Sequence, residues 1–526
     1  MILSILALCC GLAGPRPPAP ARPKLVVVIT VDQLRPDYFD RWKNQLTGGL
    51  FQLVSEGAVF ADGFQDHAVT ETAPGHSTIL SGLWPAHTGI IRNSQGVQDS
   101  TATLLGGVTG PGASPRRFRG TTLFDWLKAV DPTVRALSVS RKDRGAILPI
   151  GRAKEQVYWY QSGLFTTSRY YADSLPAWVG TFNARRLPFK AANATWSLLL
   201  PDSAYKEDDN EPWENGGRDV LFPHRLPADS VRATGAIVTT PMMDSLTLLF
   251  ALDGLEALRL GRKGTDILAV SLSSTDAVGH AFGPDSREIH DQVLRLDRYL
   301  AWFLKRVTDK IGRDNVVVVL TADHGVTSYP ERVRAKTGAQ VYRVFVDSIV
   351  TAVNRDLDRQ VGAGTSREWF SFDTGMLFLQ DNGRFAATGL KTDSVLDVIA
   401  TRMRAVPGLG RVDRVADLAR ADTASDPVAR RWIHQLVPDA GVVLVASPQP
   451  GSVWGIENTP IAMHGQPSDD DSHVPIIFWG RGVKRGVYRG RANTVDIAPT
   501  LGRLLGVTPL SLVDGRVLTD ALAPRN

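Results

Sequence analysis

Cysteine is almost absent from this sequence. The only two, Cys9 and Cys10, stand side by side near the start of 526 residues. The remainder therefore has no disulfide, no thiolate metal site and no cysteine nucleophile. Long hydrophobic runs are also missing. The apolar stretch at residues 2–13 is too short to span a bilayer, and no other segment is long and apolar enough, so no stable membrane insertion is expected. Nor is one sign of charge in large excess: 59 Lys and Arg against 54 Asp and Glu give a formal net charge of +5. Basic residues cluster only briefly, at Arg116, Arg117 and Arg119. That argues against the concentrated basic face by which a protein grips a nucleic-acid duplex. No internal repeat is found. What is present is globular in character, with 43% hydrophobic and 21% charged residues and length enough for a large core.

Residues 2–13 are followed by GPRPPAPARPK, which reads as the apolar region of a secretory signal and a proline-rich linker. Residues 1–22 are expected to be that leader and residues 23–526 the folded domain, placed in the periplasm or outside the cell. Leu8 before Cys9 makes a poor lipid-attachment signal. A monomer is expected.

Short, continuous, β-branched runs at residues 25–31, 267–271, 316–320 and 474–479 suit central strands of a mostly parallel sheet covered on both faces. Apolar residues recur at helical spacing over 121–130 and 291–309, and TVDIAPTLGRLLGV reads as a helix entered at Asp496. This alternation predicts an α/β fold, a doubly wound, mostly parallel sheet sandwiched by helices. Two stretches break the rhythm. Residues from about 152 to 230 are rich in Trp, Tyr, Asp and Pro, and residues from about 330 to 453 carry helix and strand signals of their own. Both read as insertions that roof the sheet edge where α/β proteins bind ligands.

Metal-ligating residue types follow the apolar runs. Asp32 ends KLVVVITVD, a position that suits either a helix cap or a metal ligand. Asp323 and His324 end NVVVVLTADHG, where Gly325 permits close backbone approach. Asp276 and His280 in SLSSTDAVGH share one face if that segment is helical. His464, in AMHGQP, lies in a loop and competes with His473 for the same role. Thr72, in TETAPGHST, is placed at a helix start by Pro74. There it is either a plain N-cap or a hydroxyl aimed where the helix terminus favours an anion. Asn93, Lys142 and Arg144 are either solvated surface groups or a cradle for phosphate oxygens.

In this order the motifs resemble the alkaline phosphatase superfamily, in its branch with a threonine nucleophile, which is related to the nucleotide pyrophosphatase/phosphodiesterases. The likeness runs from Asp32 to the DIAPTLGRLLG helix. It implies an alkaline-phosphatase-like catalytic domain holding two Zn2+ ions. Asp276, His280 and His464 would hold one, and Asp32, Asp323, His324 and Thr72 the other. It also implies Thr72 as nucleophile, through a phosphothreonine intermediate, with Asn93, Lys142 and Arg144 on the phosphate oxygens. The Lys142–Arg144 pair in SRKDRGAI matches the monoesterase branch and so implies small phosphate monoesters as substrates. The alternative is a phosphodiesterase, nucleotide pyrophosphatase or phosphonate monoester hydrolase on the same metal site. The sequence has no C-x-P-x-R or S-x-P-x-R, which argues against a sulfatase. Asp276, His280 and His464 are three ligands, leaving a fourth position open as catalytic sites do and structural ones do not.

Overall fold

A computed structural model describes residues 22–362, 368–457, 459 and 461–524. The expected leader, with Cys9 and Cys10, lies outside the described residues up to position 21.

Strand β1 (Leu25–Val31) is buried along its whole length. Because side chains alternate along a strand, Leu25, Val27, Ile29 and Val31 enter one core while Val26 and Val28 enter another. A strand apolar on both faces belongs in the middle of a covered sheet. Eight more strands complete that sheet: β2 (Ala58–Phe60), β3 (Ala136–Ser140), β4 (Gln156–Gln161), β5 (Leu164–Thr166), β6 (Asp266–Leu272), β7 (Val316–Thr321), β8 (Ile476–Gly480) and β9 (Gly486–Tyr488). Their order is β9-β2-β8-β7-β1-β6-β3-β4-β5. The run from β7 to β4 is parallel. β5 is antiparallel to β4, and β8 is antiparallel to both its neighbours.

The orientation of β8 corrects the reading of residues 474–479 as one more parallel strand. A run buried on both faces carries no information about its direction. The consequence is functional. Thr321 at the end of β7 pairs with Ile476 at the start of β8, so the chain before β8 arrives at the edge where β1, β6 and β7 finish.

Five helices matter for the site: α1 (Thr72–Ile79), α2 (Asp143–Ile147), α3 (Met242–Ala257), α4 (Ser274–Phe282) and α5 (Arg287–Ile311). Met243 and Phe250 of α3 and Leu296 and Phe303 of α5 cover one face of the sheet. Trp126 and Leu501, from helices Leu123–Val130 and Ile497–Leu505, cover the other. The helix-on-both-faces sandwich follows.

The insertion expected over about residues 152–230 is corrected at its start, since residues 156–166 form β4 and β5 of the central sheet. The aromatic residues that break helical periodicity there alternate in and out of a strand instead. The following segment is anchored on α5, where buried Asp291 accepts hydrogen bonds from Trp196 Nε1 (2.6 Å) and the Tyr205 hydroxyl (2.7 Å). Residues 330–453 hold an antiparallel sheet of strands Phe370–Asp373, Met376–Leu379, Val442–Pro448 and Leu409–Arg414, in that spatial order. It has its own core with helices Asp347–Val361 and Thr392–Arg404. A further apolar cluster joins it to the main body through Val69, Ile91, Met376 and Trp432. Among the described residues no single helix is long and apolar enough to cross a membrane.

Candidate active site

Three central strands deliver acids to one edge. Asp32 follows β1 directly, and its N–H donates to Leu272 O at the end of β6 (2.9 Å). Asp323 and His324 follow β7 by one residue. Asp276 lies in the first turn of α4 and His280 one turn later, so both project from the same helix face. Helix α1, whose eight residues are all buried, runs against this edge. Gly75 lets it approach: a Cβ there would sit 2.1 Å from Asp323 O. Gly325 does the same for the next loop, where a Cβ would lie 2.3 Å from Asp470 O. Contrary to the sequence reading, neither Thr72 nor His464 follows a long apolar strand. His464 arrives in the loop before antiparallel β8, and Thr72 starts α1.

The imidazoles are oriented by the backbone. Nδ1 of His280 lies 2.7 Å from Ala462 O, Nδ1 of His464 2.7 Å from Thr70 O, and Nδ1 of His324 2.9 Å from Gly325 O. Carbonyl oxygens only accept, so each Nδ1 carries the hydrogen, and in the neutral ring each Nε2 presents a lone pair. His280 Nε2 and His464 Nε2 are 3.1 Å apart, with Asp276 Oδ1 at 3.3 and 3.6 Å from them. Three acceptors converging this closely fit a bound cation, and the backbone acceptors supply the outer shell such ligands require. A second group forms from Asp32, Asp276 and His324, all buried. There Asp32 Oδ1 and His324 Nε2 make no hydrogen bond. The competing His473 stacks on Phe64 and turns Nε2 to Ala61 O (3.0 Å), away from the cluster.

The grouping differs from the expected one in two respects. Asp276 faces both clusters rather than one. Asp323 turns Oδ2 to His76 Nδ1 (3.1 Å) and stays 3.7 Å from His324 Nε2.

Lys142, expected on phosphate oxygens, reaches deeper than that. Its Nζ lies 2.6 Å from Asp32 Oδ2 and donates to Asp276 Oδ2 (2.7 Å) and Thr72 Oγ1 (3.0 Å). A lysine can do this because it follows β3 and is pre-aimed at the same edge. Thr72 is not the helix cap: Glu71 holds that position, and the Thr72 hydroxyl is free to face the ammonium.

Electrostatics follow from burial. Burial raises the Asp32 carboxyl, the charges of Asp276 and Asp323 raise it further, and Lys142 and His324 offset them in part. Burial also opposes charge on Asp276, but Lys142, His280 and His464 outweigh it and hold that carboxyl well below the usual range. Burial and neighbouring His464 push His324 well below the usual histidine range, keeping it neutral.

Asn93 caps the α1 terminus in place of Thr72, its Oδ1 accepting from Ala73 N (2.8 Å). This fixes the amide orientation and turns Nδ2 the other way. Its own N–H donates to Glu71 Oε2 (2.6 Å). Arg144 is partly buried, 3.5 Å from Asp143 Oδ1, with Nε making no hydrogen bond. The sequence reading overlooked three residues that hold this site. Gln33 Nε2 donates to Asp276 Oδ1 (3.1 Å). His76 spans Thr72 O (2.9 Å), Asp323 and Ser271 Oγ (2.8 Å). Glu71 binds Asn93. His76 alone left a signal, lying four residues after Thr72 on one helix face.

The sequence profile of the type I phosphodiesterase/nucleotide pyrophosphatase family matches residues 26–103 and 119–402. Alkaline phosphatase PhoV of Synechococcus elongatus is 34% identical over 96% of this chain and 94% of its own length. Alkaline phosphatase PafA of Elizabethkingia meningoseptica is 30% identical over 99% of this chain and 98% of its own. The crystal structure of wild-type PafA superposes with a TM-score of 0.87, covering 95% of this chain and 99% of that one. So does a PafA variant substituted at one threonine, one asparagine, one lysine and one arginine. The chain thus belongs to the type I phosphodiesterase/nucleotide pyrophosphatase family, and its fold is that of the alkaline phosphatases.

Proposed function

We propose that the protein is an exported, two-zinc phosphatase that hydrolyses small phosphate monoesters through a phosphothreonine on Thr72. The observation that carries this reading is the convergence of His280 and His464 Nε2 lone pairs beside a threonine hydroxyl held by a lysine. Two further facts support it. The curated relatives above are named alkaline phosphatases. The threonine and asparagine altered in the PafA variant are 21 positions apart and its lysine and arginine two apart, spacings shared by Thr72 with Asn93 and Lys142 with Arg144. Export rests on the leader-like residues 1–22.

Asp276, His280 and His464 would hold one ion. Asp32, Asp323 and His324, with Thr72, would hold the other, Asp276 facing both. Carboxylate and imidazole donors suit zinc. Such a pair supplies Lewis acidity that favours an ionised hydroxyl and charge on a departing oxygen.

The chain's own residues do the rest. Thr72 Oγ1 attacks phosphorus in line; its bond to phosphorus forms as the ester P–O bond breaks, and the alcohol leaves with a proton. Lys142, donating to Oγ1, stabilises the deprotonated threonine. Water then attacks the phosphothreonine, the P–Oγ1 bond breaks, and inorganic phosphate leaves with the hydroxyl restored. Asn93 Nδ2 and the Arg144 guanidinium donate to non-bridging oxygens, where such stabilisation contributes most of the rate. A doubly charged monoester gains more from this cationic set than a singly charged diester.

The test is the ratio of kcat/KM for p-nitrophenyl phosphate over bis-p-nitrophenyl phosphate on zinc-loaded protein at alkaline pH. A ratio well above one is expected. A ratio below one would make the protein a diesterase on the same site.

A further inference from the structure

The inserted sheet reaches the loop that carries Asn93 through a strained turn. Strands Phe370–Asp373 and Met376–Leu379 are joined by Thr374 and Gly375, closed by the Asp373–Met376 pair. Both turn residues have positive φ, 45° and 80°. Two-residue hairpin turns of that kind select Asn-Gly or Gly-Gly. A β-branched threonine at positive φ is strained, and strain of this sort persists where the surroundings hold it and is a pointer to function.

The contacts show what the turn holds. Asp373 Oδ2 accepts from Arg92 Nη1 (2.7 Å) and from Ser94 Oγ (2.9 Å), the residues on either side of Asn93. Arg92 is further pinned by Phe378, its guanidinium 4.3 Å from the ring centre. The Thr374 hydroxyl lies between two carboxylates and shares its one hydrogen between Asp373 Oδ1 (2.8 Å) and Glu71 Oε1 (3.2 Å). The other Glu71 oxygen accepts the Asn93 N–H, and Asn93 Oδ1 accepts from Ala73 next to Thr72. A chain of hydrogen bonds thus runs from the insertion to the backbone beside the nucleophile.

We propose that Asp373 and Thr374 are positioning residues that fix the Asn93 amide on the phosphate, making the inserted sheet part of the catalytic apparatus. The inference rests on the reading of Asn93 as a phosphate ligand. Held on both flanks and at its N–H, the loop keeps Nδ2 aimed without reorganisation when charge builds on the non-bridging oxygen. The Thr374 hydroxyl accounts for keeping threonine where glycine would be relaxed. Thr374 also lies against Gly465, where a Cβ would be 3.1 Å from the Thr374 methyl. His464 is the next residue, so metal content must be followed in parallel.

The experiment compares N93A, D373N, T374V, T374S, T374G and the double variant D373N/N93A. Each is assayed for p-nitrophenyl phosphate hydrolysis, bound zinc and Tm. D373N and T374V are expected to lose roughly 10-fold in kcat/KM, in line with outer-shell partners, with zinc unchanged. T374S, retaining the hydroxyl, restores most of that loss. T374G is expected to raise Tm by relieving strain while lowering kcat/KM, a divergence that a purely structural residue would not give. In the N93A background D373N should cost little more, because its effect passes through Asn93. Full additivity, or a loss that tracks zinc, would overturn the proposal. So would wild-type kinetics in both T374V and D373N. If N93A itself is silent, the reading of Asn93 fails instead.

Discussion

His280 Nε2 and His464 Nε2 face each other at 3.1 Å, each with its Nδ1 on a carbonyl oxygen. Two Nε2 lone pairs facing each other in this arrangement would repel, and Asp276 beside them adds negative charge. A bound cation reverses the sign. Removing metal with a chelator should therefore abolish phosphatase activity and lower Tm, and zinc should restore both. Ligand binding at 100 times Kd stabilises by about 2.7 kcal/mol, so the shift is measurable by calorimetry. His464→Ala should reduce bound zinc by one ion per chain. An unchanged Tm and full activity after chelation would defeat the metal reading.

Thr72 should be separable from metal binding. Thr72→Ala is expected to lower kcat by at least roughly 10³-fold, as for other nucleophile deletions, while zinc content stays near wild type. Acid quenching during turnover should trap a phosphoryl group on wild type and on Thr72→Ser. None should be trapped on Thr72→Ala. Retention of a trapped phosphoryl group in Thr72→Ala would place the nucleophile elsewhere.

Lys142 touches the Thr72 hydroxyl and two buried carboxylates. Removing its ammonium leaves Asp32 and Asp276 without their lysine and Thr72 without its donor. Lys142→Ala should cost roughly 10²-fold in monoester kcat/KM and reduce the monoester-to-diester ratio. Lys142→Arg should not rescue, because a planar fork cannot take the place of a compact ammonium. Steady-state kinetics on both substrates decides it.

What the sequence made legible follows from how each feature is encoded. The central strands were readable because Val26 to Val28 and Val316 to Val319 are apolar on both faces, which only a covered sheet satisfies. Acids directly after such strands, Asp32 and Asp323, point by necessity to the sheet's edge. The family profile and the PafA fold agree with the resemblance drawn from motif order. Less was legible where meaning depends on distant chain. The direction of β8 is invisible in a doubly buried run. Lys142 reads as either a solvated surface group or a phosphate ligand, and its contact with Asp32 and Asp276 has no local signal. The partners of Asn93 lie at Glu71 and, through Thr374, some 280 residues away, a separation no local pattern records. Gln33 and Glu71 carry no spacing signal at all.

A prediction about stability alone comes from Asp297 on α5. This buried carboxylate accepts from four backbone N–H groups at the start of helix Gly49–Glu56: Thr47 (2.8 Å), Gly48 (2.6 Å), Leu50 (2.8 Å) and Phe51 (3.1 Å). It does for that helix what no cap side chain of its own does. Asp297→Ala strands those donors and should cost about 2–4 kcal/mol. Asp297→Asn, which keeps one acceptor, should cost less. Urea denaturation measures both, and kcat of the folded protein should be unaffected.

Glu207 supplies an acid-sensitive counterpart. It ties the segment after β5 to the main body, its carboxylate accepting from Trp42 Nε1 (3.2 Å) and lying 2.8 Å from His290 Nδ1. Burial opposes its charge, but the hydrogen bond and charge of His290, with Trp42, win and bring its pKa from 4.5 to about 2. The unfolded chain therefore binds the proton first on acidification. The stability contributed is complete above about pH 4.5 and is lost as pH falls towards 2. By linkage, discounted for solvent screening of a partly buried group, it is worth about 2–3 kcal/mol just above that window. Glu207→Gln should lose that amount near pH 5 and flatten the stability profile between pH 4.5 and 2. Equal slopes for the two proteins across that window would show that the ion pair contributes nothing to the fold.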